Sequence, residues 1–268
     1  MAAPQKFAVM GNPVAHSKSP FIHREFAAQF GIALCYDALL VAHDGFASAL
    51  RAFAADGGRG VNVTAPFKEE AFALADICTE RAQLARAVNT VTFDGKKIHG
   101  DNTDGAGLVR DLRDNLGVTL RNARVLIIGA GGAARGILSP LLAQKPARIH
   151  IANRTAAKAI ALAGEFSCAA LSGGGLETAR GAYDLILHAA GPQGPSQLSP
   201  GIFADSALAY DLSYADGDTP FVTWAKQNHA PRTADGAGML VEQAAESFFV
   251  WHGRRPGTAA AVAELRRA

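Results

Sequence analysis

A chain of 268 residues holds one large domain or two ordinary ones, and 49% hydrophobic with 19% charged residues is the make-up of a folded globular protein, not a disordered one. The formal net charge of +2 gives no case for nucleic acid or an acidic membrane surface as a partner. Three scattered cysteines, Cys35, Cys78 and Cys168, with no CxxC pair, argue against a disulfide framework and against a zinc site, and fit a reducing compartment.

The opening "MAAPQKFAVMGNP" meets a glycine and a proline before any apolar stretch reaches signal-peptide length. From Phe7 on, strand-like and helix-like segments alternate. "FAVMG" reads as a strand, "SPFIHREFAAQFG" as a helix ending on glycine, "LCYDALLV" as a second strand and "FASALRAFAADGG" as a helix with a Gly-Gly stop. Next comes "VNVTAPFKEE", Val61 to Glu70. Its β-branched run reads as a buried strand end, and Pro66 suits the first position of a helix "PFKEEAFALADI". That places Lys68 in the first helical turn, where the dipole is positive and a cation is disfavoured. Either Glu69 and Glu70 offset the cost, or the site uses an ammonium that gives up its proton more readily than usual. The plain alternative is a solvated surface lysine.

Two short strands around "AVNTVTF" and "KKIHG" suggest a hairpin across "DGK". After "DNTDG", Leu108, Val109, Leu112 and Leu116 recur with a period near 3.6, which predicts a helix. A second unit opens at "ARVLIIGAGGAARGILSPLLAQ" and continues through "ARIHIANR", "TAAKAIALAGEF", "YDLILHAAG" and "ALAYDLSY". The apolar stretch at its start is interrupted by glycines and Arg135, so it is not a membrane span, and a cytoplasmic location is expected. "GMLVEQAAESFFVWHG" predicts a helix with an apolar stripe through Leu240, Ala244, Phe248 and Trp251. The expected architecture is α/β. Two domains with mostly parallel sheets divide near residue 103, the C-terminal helices pack back on the first, and a cleft lies between.

"IIGAGGAARG" follows an apolar strand and opens a helix, the setting that a dinucleotide-binding turn needs. Gly129, Gly131 and Ala134 fill the G-x-G-x-x-G/A pattern: a tight turn, a close approach of backbone to pyrophosphate, and a small residue where helix meets strand. The second domain is therefore expected to be Rossmann-type. A site for NAD usually places an acid at the end of the next strand. Here that strand ends in "IANRTAAK", with Asn153, Arg154, Thr155 and Lys158 and no acid, which favours NADP. A helix-capping Thr155 with solvated bases nearby is the competing reading.

Several polar residues stand in apolar company. Ser17 and Ser19 in "GNPVAHSKSP" flank Lys18 ahead of a helix expected from Pro20, and either cradle a carboxylate or, in Ser19, merely cap the helix. Asn89 begins a strand where a buried amide needs partners. Asp104 stands just ahead of a helix, an ordinary capping position. Gln243 lies beside the stripe of the late helix.

"GNPVAHSKSP", "NVTAPFK", "AVNT", "GDNTDG", "GAGGAARG", "NRT" and "ADGAGMLVEQA" occur here in one order, and together they resemble the shikimate dehydrogenase family from Phe7 to about Gly253. The resemblance implies reversible NADPH-dependent reduction of 3-dehydroshikimate to shikimate in aromatic amino-acid (chorismate) biosynthesis. It makes Lys68 the catalytic acid/base working with Asp104. It gives Ser17, Ser19, Thr64, Asn89, Asp104, Tyr214 and Gln243 to the substrate's carboxylate and hydroxyls. Gly129, Ala130, Gly131, Gly132, Ala133, Asn153, Arg154, Thr155, Lys158, Leu212 and Gly236 would meet the cofactor. Residues 1–103 plus 238–268 would form the substrate-binding domain and residues 104–237 the NADP domain. The chain departs from the family in "LILHAAGPQG", where His188 stands for an asparagine and Ala190 for a threonine, and at Leu212, where methionine is common. A sister enzyme acting on quinate and a non-catalytic NADP-binding regulator are the competing readings.

Overall fold

The structure, a computed structural model, describes residues 3–191, 198 and 201–266. It divides into two compact units: one runs through Arg110 and resumes at Leu240, and the other spans Asp111–Met239. Among the described residues each unit is built on a six-stranded sheet.

The first unit contains β1 (Gln5–Gly11), α1 (Ser19–Gln29), β2 (Leu34–Leu40), α2 (Phe46–Ala55), β3 (Gly58–Val63), α3 (Lys68–Leu74), β4 (Ile77–Cys78), α4 (Glu80–Ala85), β5 (Thr90–Asp94), β6 (Lys97–Asp101) and α5 (Asp104–Arg110). Its sheet has the order β2-β1-β3-β5-β6-β4. β1 is parallel to both β2 and β3, whereas β5 runs antiparallel to β3 and to β6. The expected hairpin is present, with Asp94 opposite Lys97 and Gly95 at φ +59° in the turn between them. This pattern brings the ends of β1, β3 and β6 and the start of β5 to a single edge of the sheet.

Several boundaries differ from the expected ones. Thr64–Phe67 closes a turn (Phe67 N–H to Thr64 C=O, 3.1 Å) that holds Pro66 ahead of the helix, so α3 begins at Lys68. It stops at Leu74 because Ala75 is extended and Ile77–Cys78 then pairs with β6. In α1 the cap position belongs to Lys18, no side chain caps it, and Ser19 is already helical. The helix after "DNTDG" changes into a π-helical turn at Asp111–Asn115. Asp111 is fully buried there, bonded by the Tyr210 hydroxyl at 2.8 Å and by Asn115 Nδ2 at 2.9 Å. The seam between units accordingly falls after Arg110 rather than near residue 103. A Cβ on Gly107 would lie 2.5 Å from the Gln243 nitrogen, so α5 is held backbone to backbone against the late helix and stays with the first unit.

The second unit contains β7 (Arg124–Ile128), α6 (Gly132–Ala143), β8 (Arg148–Ala152), α7 (Ala156–Glu165), β9 (Leu171–Gly174), β10 (Tyr183–His188), β11 (Phe203–Asp211), α8 (Pro220–Gln227) and β12 (Arg232–Ala234). All pairings in its sheet are parallel, in the order β12-β11-β10-β7-β8-β9. The chain winds outward from β7 through β8 and β9, then returns to β10 and winds the other way. The carboxyl ends of β7 and β10 therefore flank the switch point, where ligands of such sheets bind. Val125–Ile127, Leu185–Leu187 and Leu208–Tyr210 are almost wholly buried, as strands covered on both faces must be.

The chain returns to the first unit within α9 (Ala237–His252), followed by α10 (Ala259–Leu265). Val241, Ala244, Ala245 and Phe248 of α9 pack on Ile22, Phe26 and Ala27 of α1. Among the described residues no helix is long and apolar enough to cross a membrane.

Candidate active site

The edge of the first sheet collects the polar residues that stood out in the sequence. Lys68, the first residue of α3, donates from Nζ to Asp104 Oδ2 at 2.7 Å. Its side chain is 32% exposed and that of Asp104 18%, so the pair is sheltered yet reachable. Asp104 is the first residue of α5, and its carboxylate does not cap the helix: its other oxygen accepts Asn89 Nδ2 at 2.8 Å. Asn102 takes over the local task, accepting the Asp104 N–H on Oδ1 at 3.1 Å.

Asn89 has a fixed amide orientation. Its Oδ1 accepts the Thr103 N–H at 2.8 Å and lies 2.9 Å from the Thr90 hydroxyl, so its NH₂ must face Asp104 and Gln243. Gln243, 8% exposed on α9, accepts from Asn89 at 3.2 Å. Beneath them Asn62, Thr90, Thr103 and Ser247 form a buried hydrogen-bonded layer. Asn62 Nδ2 donates to Ser247 Oγ at 3.0 Å, Ser247 and Thr90 hydroxyls lie 2.7 Å apart, and the Tyr36 hydroxyl donates to Asn62 Oδ1 at 2.7 Å. Burial raises Tyr36 well above the usual tyrosine range, against the Ser19 hydroxyl beside it, so the phenol stays a donor. None of Asn62, Thr103 or Ser247 stood out in the sequence.

A second anchor lies behind the Asp104 segment. Arg81 clasps Asp101 through Nε and Nη2, both at 2.6 Å, and reaches Glu246 of α9 at 3.0 Å. Burial pushes the Asp101 carboxyl up, but bonds from Arg81 and Thr79 outweigh it and hold it below the usual carboxylate range. Asp101 in turn accepts the Asn102 N–H at 2.7 Å, which fixes the chain just before Asp104.

Ser17 and Ser19 stand together after β1, with the Ser19 N–H donating to Ser17 Oγ at 3.3 Å; Ser19 is buried and Ser17 half-buried. Thr64 follows β3 and leans on the end of β1: a Cβ on Gly11 would meet its methyl at 2.3 Å. Tyr214 belongs to the second unit, half-buried, after β11.

In the second unit, Gly129 adopts φ +112° and its Cα faces the strand end after β10, where a Cβ would lie 2.7 Å from the Ala189 carbonyl. Only glycine fits there. Gly131 caps α6, and a Cβ on it would point into open space. Ala134 is completely buried where α6 meets the sheet. Gly131, Gly132 and Ala133 are exposed, so the first N–H groups of α6 are open to a phosphate. After β8, Asn153 Nδ2 donates to the Thr155 carbonyl at 3.0 Å, while Arg154 and Lys158 are exposed. The Thr155 hydroxyl makes no cap bond, so helix capping does not account for it. These donors and cations, with no carboxylate among them, suit a 2′-phosphate. Gly236 packs on Leu212, whose carbonyl would lie 2.3 Å from a Cβ at that position.

His188 has a partner that its sequence neighbourhood does not reveal. Its Nδ1 lies 3.2 Å from Asp211 Oδ1, both side chains are buried, and its ring stacks on Phe221 at 4.7 Å. Burial raises the Asp211 carboxyl, but bonds from His188, Thr219 and the Ser213 N–H reverse the shift and hold it low. Pro192, Gln193 and Gly194 of the departing loop lie outside the described residues.

A parallel sheet in this order with an open glycine turn defines a dinucleotide-binding unit, and an amine-carboxylate pair beside buried amides has the chemistry that proton transfer on a polar substrate requires. Comparison with known proteins makes this more specific. Family models described as "Shikimate dehydrogenase substrate binding domain", "Shikimate / quinate 5-dehydrogenase" and "Shikimate 5'-dehydrogenase C-terminal domain" match residues 9–91, 111–196 and 236–266. A shikimate dehydrogenase (NADP(+)) of Dechloromonas aromatica is 57% identical over 97% of this chain and 97% of its own length. The enzyme of the same description from Alcanivorax borkumensis is 53% identical over 97% and 96%. Among solved structures, shikimate 5-dehydrogenase from Thermus thermophilus in complex with NADP(H) and shikimate has a TM-score of 0.87 at 34% identity, covering 98% of this chain and 99% of that one. An Ael1 enzyme from Pseudomonas putida has a TM-score of 0.91 at 45% identity, covering 97% and 98%. The chain belongs to the shikimate dehydrogenase family.

Proposed function

We infer that this chain is an NADP-dependent oxidoreductase that reversibly reduces 3-dehydroshikimate to shikimate in aromatic amino-acid (chorismate) biosynthesis. The carrying observation is the Lys68–Asp104 pair at 2.7 Å, set among Asn89 and Gln243 on one sheet edge. Making an alcohol from a ketone requires a hydride at carbon and a proton at oxygen. Bound NADPH supplies the hydride. Lys68 gives the proton to the nascent alkoxide and takes it back in the oxidative direction, which is worth roughly 10²–10⁴ in rate for a positioned acid/base. Asp104 holds the ammonium in place and is itself held by Asn89, so the proton donor has little freedom to swing away.

Ser17, Ser19, Thr64, Asn89, Asp104, Tyr214 and Gln243 hold the carboxylate and hydroxyls of the substrate; all but Tyr214 belong to the first unit, which is thereby the substrate-binding and catalytic domain. The backbone of Gly129, Ala130, Gly131, Gly132 and Ala133 takes the pyrophosphate. Asn153, Arg154, Thr155 and Lys158 meet the 2′-phosphate end, and Leu212 and Gly236 the nicotinamide end. The free state of Cys35, Cys78 and Cys168 suits a cytoplasmic enzyme.

The test is an initial-rate assay by nicotinamide absorbance, crossing shikimate and quinate with NADP and NAD. Turnover with shikimate and NADP is expected. Preference for quinate or NAD would move the chain to the sister activity covered by the same family description. NADPH binding without turnover of either acid would overturn the assignment.

A further inference from the structure

His188 and Asp211 end neighbouring parallel strands and stand opposite each other in register. Beyond accepting from His188, Asp211 receives the Ser213 N–H on the same oxygen at 3.0 Å and the Thr219 hydroxyl on the other at 2.7 Å. Ser213 opens the loop of residues 212–218, and Thr219 closes it while capping α8 through the Val222 N–H at 3.2 Å. One buried carboxylate thus clasps both ends of the loop that carries Leu212 and Tyr214. The start of the loop is tied once more, by the Gly236 N–H to the Ser213 carbonyl at 2.9 Å.

With Nδ1 turned to Asp211, the other ring nitrogen, Nε2, is the only further polar atom of the side chain. Here Nε2 is buried with no partner among the described residues, and the ring lies within 5° of parallel to Phe221. The polar contribution of this side chain is therefore its single donor to Asp211. On its other side, Ala189 follows directly and sits against Gly129 of the phosphate-binding turn.

We propose that His188 is a positioning residue: through Asp211 it sets the loop of residues 212–218, and with it the placement of Leu212 and Tyr214 toward nicotinamide and substrate. The proposal rests on the reading that NADP and shikimate are the ligands. It differs from a role in direct cofactor contact, because the donor is spent on Asp211.

Asparagine carries its amide nitrogen as many bonds from Cα as histidine carries Nδ1. His188→Asn therefore keeps the donor and drops the ring, whereas His188→Leu keeps bulk and drops the donor. Steady-state kinetics on the whole chain, with melting temperatures alongside, separate the two. His188→Leu is expected to raise KM for both NADP and shikimate about tenfold, the scale of one lost hydrogen bond to a charged group, while His188→Asn stays within about twofold of wild type. A folded His188→Leu protein with wild-type KM values would overturn the proposal, and so would an asparagine variant as impaired as the leucine one. Should His188→Leu fail to fold, Thr219→Val removes another arm of the clasp and must raise the same two constants; unchanged values there would count against it equally. A wild-type chain that binds NADP without turning over shikimate would instead sink the substrate assignment, and the clasp would then be read as weaker NADP binding by His188→Leu in a fluorescence titration.

Discussion

The first unit holds its functional groups with side chains, whereas the second does so mainly with backbone. On the first sheet edge Lys68, Asn89, Asp104 and Gln243 are linked to one another and to Asn62, Thr90, Thr103 and Ser247. At the second sheet's switch point the decisive features are Gly129, Gly131 and the open start of α6. The proposed ligands explain the contrast. Phosphate is recognised by N–H groups that any residue carries, so the sequence need only clear space for them. A small hydroxylated acid offers no such uniform handle. It must be met by individually aimed donors and acceptors, each of which needs its own partners once buried.

That division of labour can be broken from either side. The largest effect belongs to Lys68→Ala, expected to lower kcat by roughly 10²–10⁴ with NADPH affinity unchanged in a fluorescence titration; wild-type turnover would end the acid/base assignment. Ser247→Ala comes next. It strips a partner from Asn62 and Thr90 and should destabilise the protein by about 1–3 kcal/mol in urea, lowering kcat more than NADP affinity. Unfolding at the wild-type urea midpoint would show the buried layer to be dispensable. From the other unit, Arg154→Ala should raise KM for NADP about tenfold, leave kcat on saturating cofactor near wild type and barely change KM for NAD. An equal loss with both cofactors would remove Arg154 from the 2′-phosphate.

A pH effect tests the burial beneath the first site. His23 is completely buried and stacked on Tyr36 at 4.3 Å. Burial, helped by His252 and opposed by Asn62, lowers it to about 3 from a usual value of 6.5. Its folded-state value is depressed, so below the usual value the unfolded chain takes up a proton that the folded chain refuses. This contribution to stability is full above pH 6.5 and is lost as pH falls toward about 3. The slope approaches about 1.4 kcal/mol per pH unit, and urea unfolding at pH 7 and pH 5 should show it in wild type and not in His23→Leu. Parallel pH dependence in the two proteins would refute the assignment.

Much of this was legible in the sequence, and unequally so. The second unit announced itself because strands covered on both faces read as unbroken apolar runs, as in "VLII" and "LIL", and because "GAGG" follows one directly. In the first unit Lys68, Asn89, Asp104 and Gln243 were nameable, but the layer beneath them was not. Asn62 and Ser247 are 185 residues apart, and no local pattern marks one as the other's partner. His188 drew notice as a departure, yet its tie to Asp211 depends on the register of β10 against β11, which is a property of the folded sheet. The π-helical turn escaped because Leu108, Val109, Leu112 and Leu116 keep helical spacing, while Tyr210, whose hydroxyl meets the buried Asp111 in that turn, lies 99 residues away.

The discontinuous make-up of the first unit bears on the order in which the protein is born. Its residues through Arg110 leave the ribosome first but lack α9, which supplies Val241, Ala244 and Phe248 to the core around Ile22 and Phe26. The same helix brings Gln243 and Ser247 to the polar layer. The second unit is continuous and complete before α9 emerges. Vectorial synthesis usually favours the N-terminal domain. Here the reverse order is expected: the nucleotide-binding unit should become protease-resistant first on stalled nascent chains, and the first unit only once α9 has emerged.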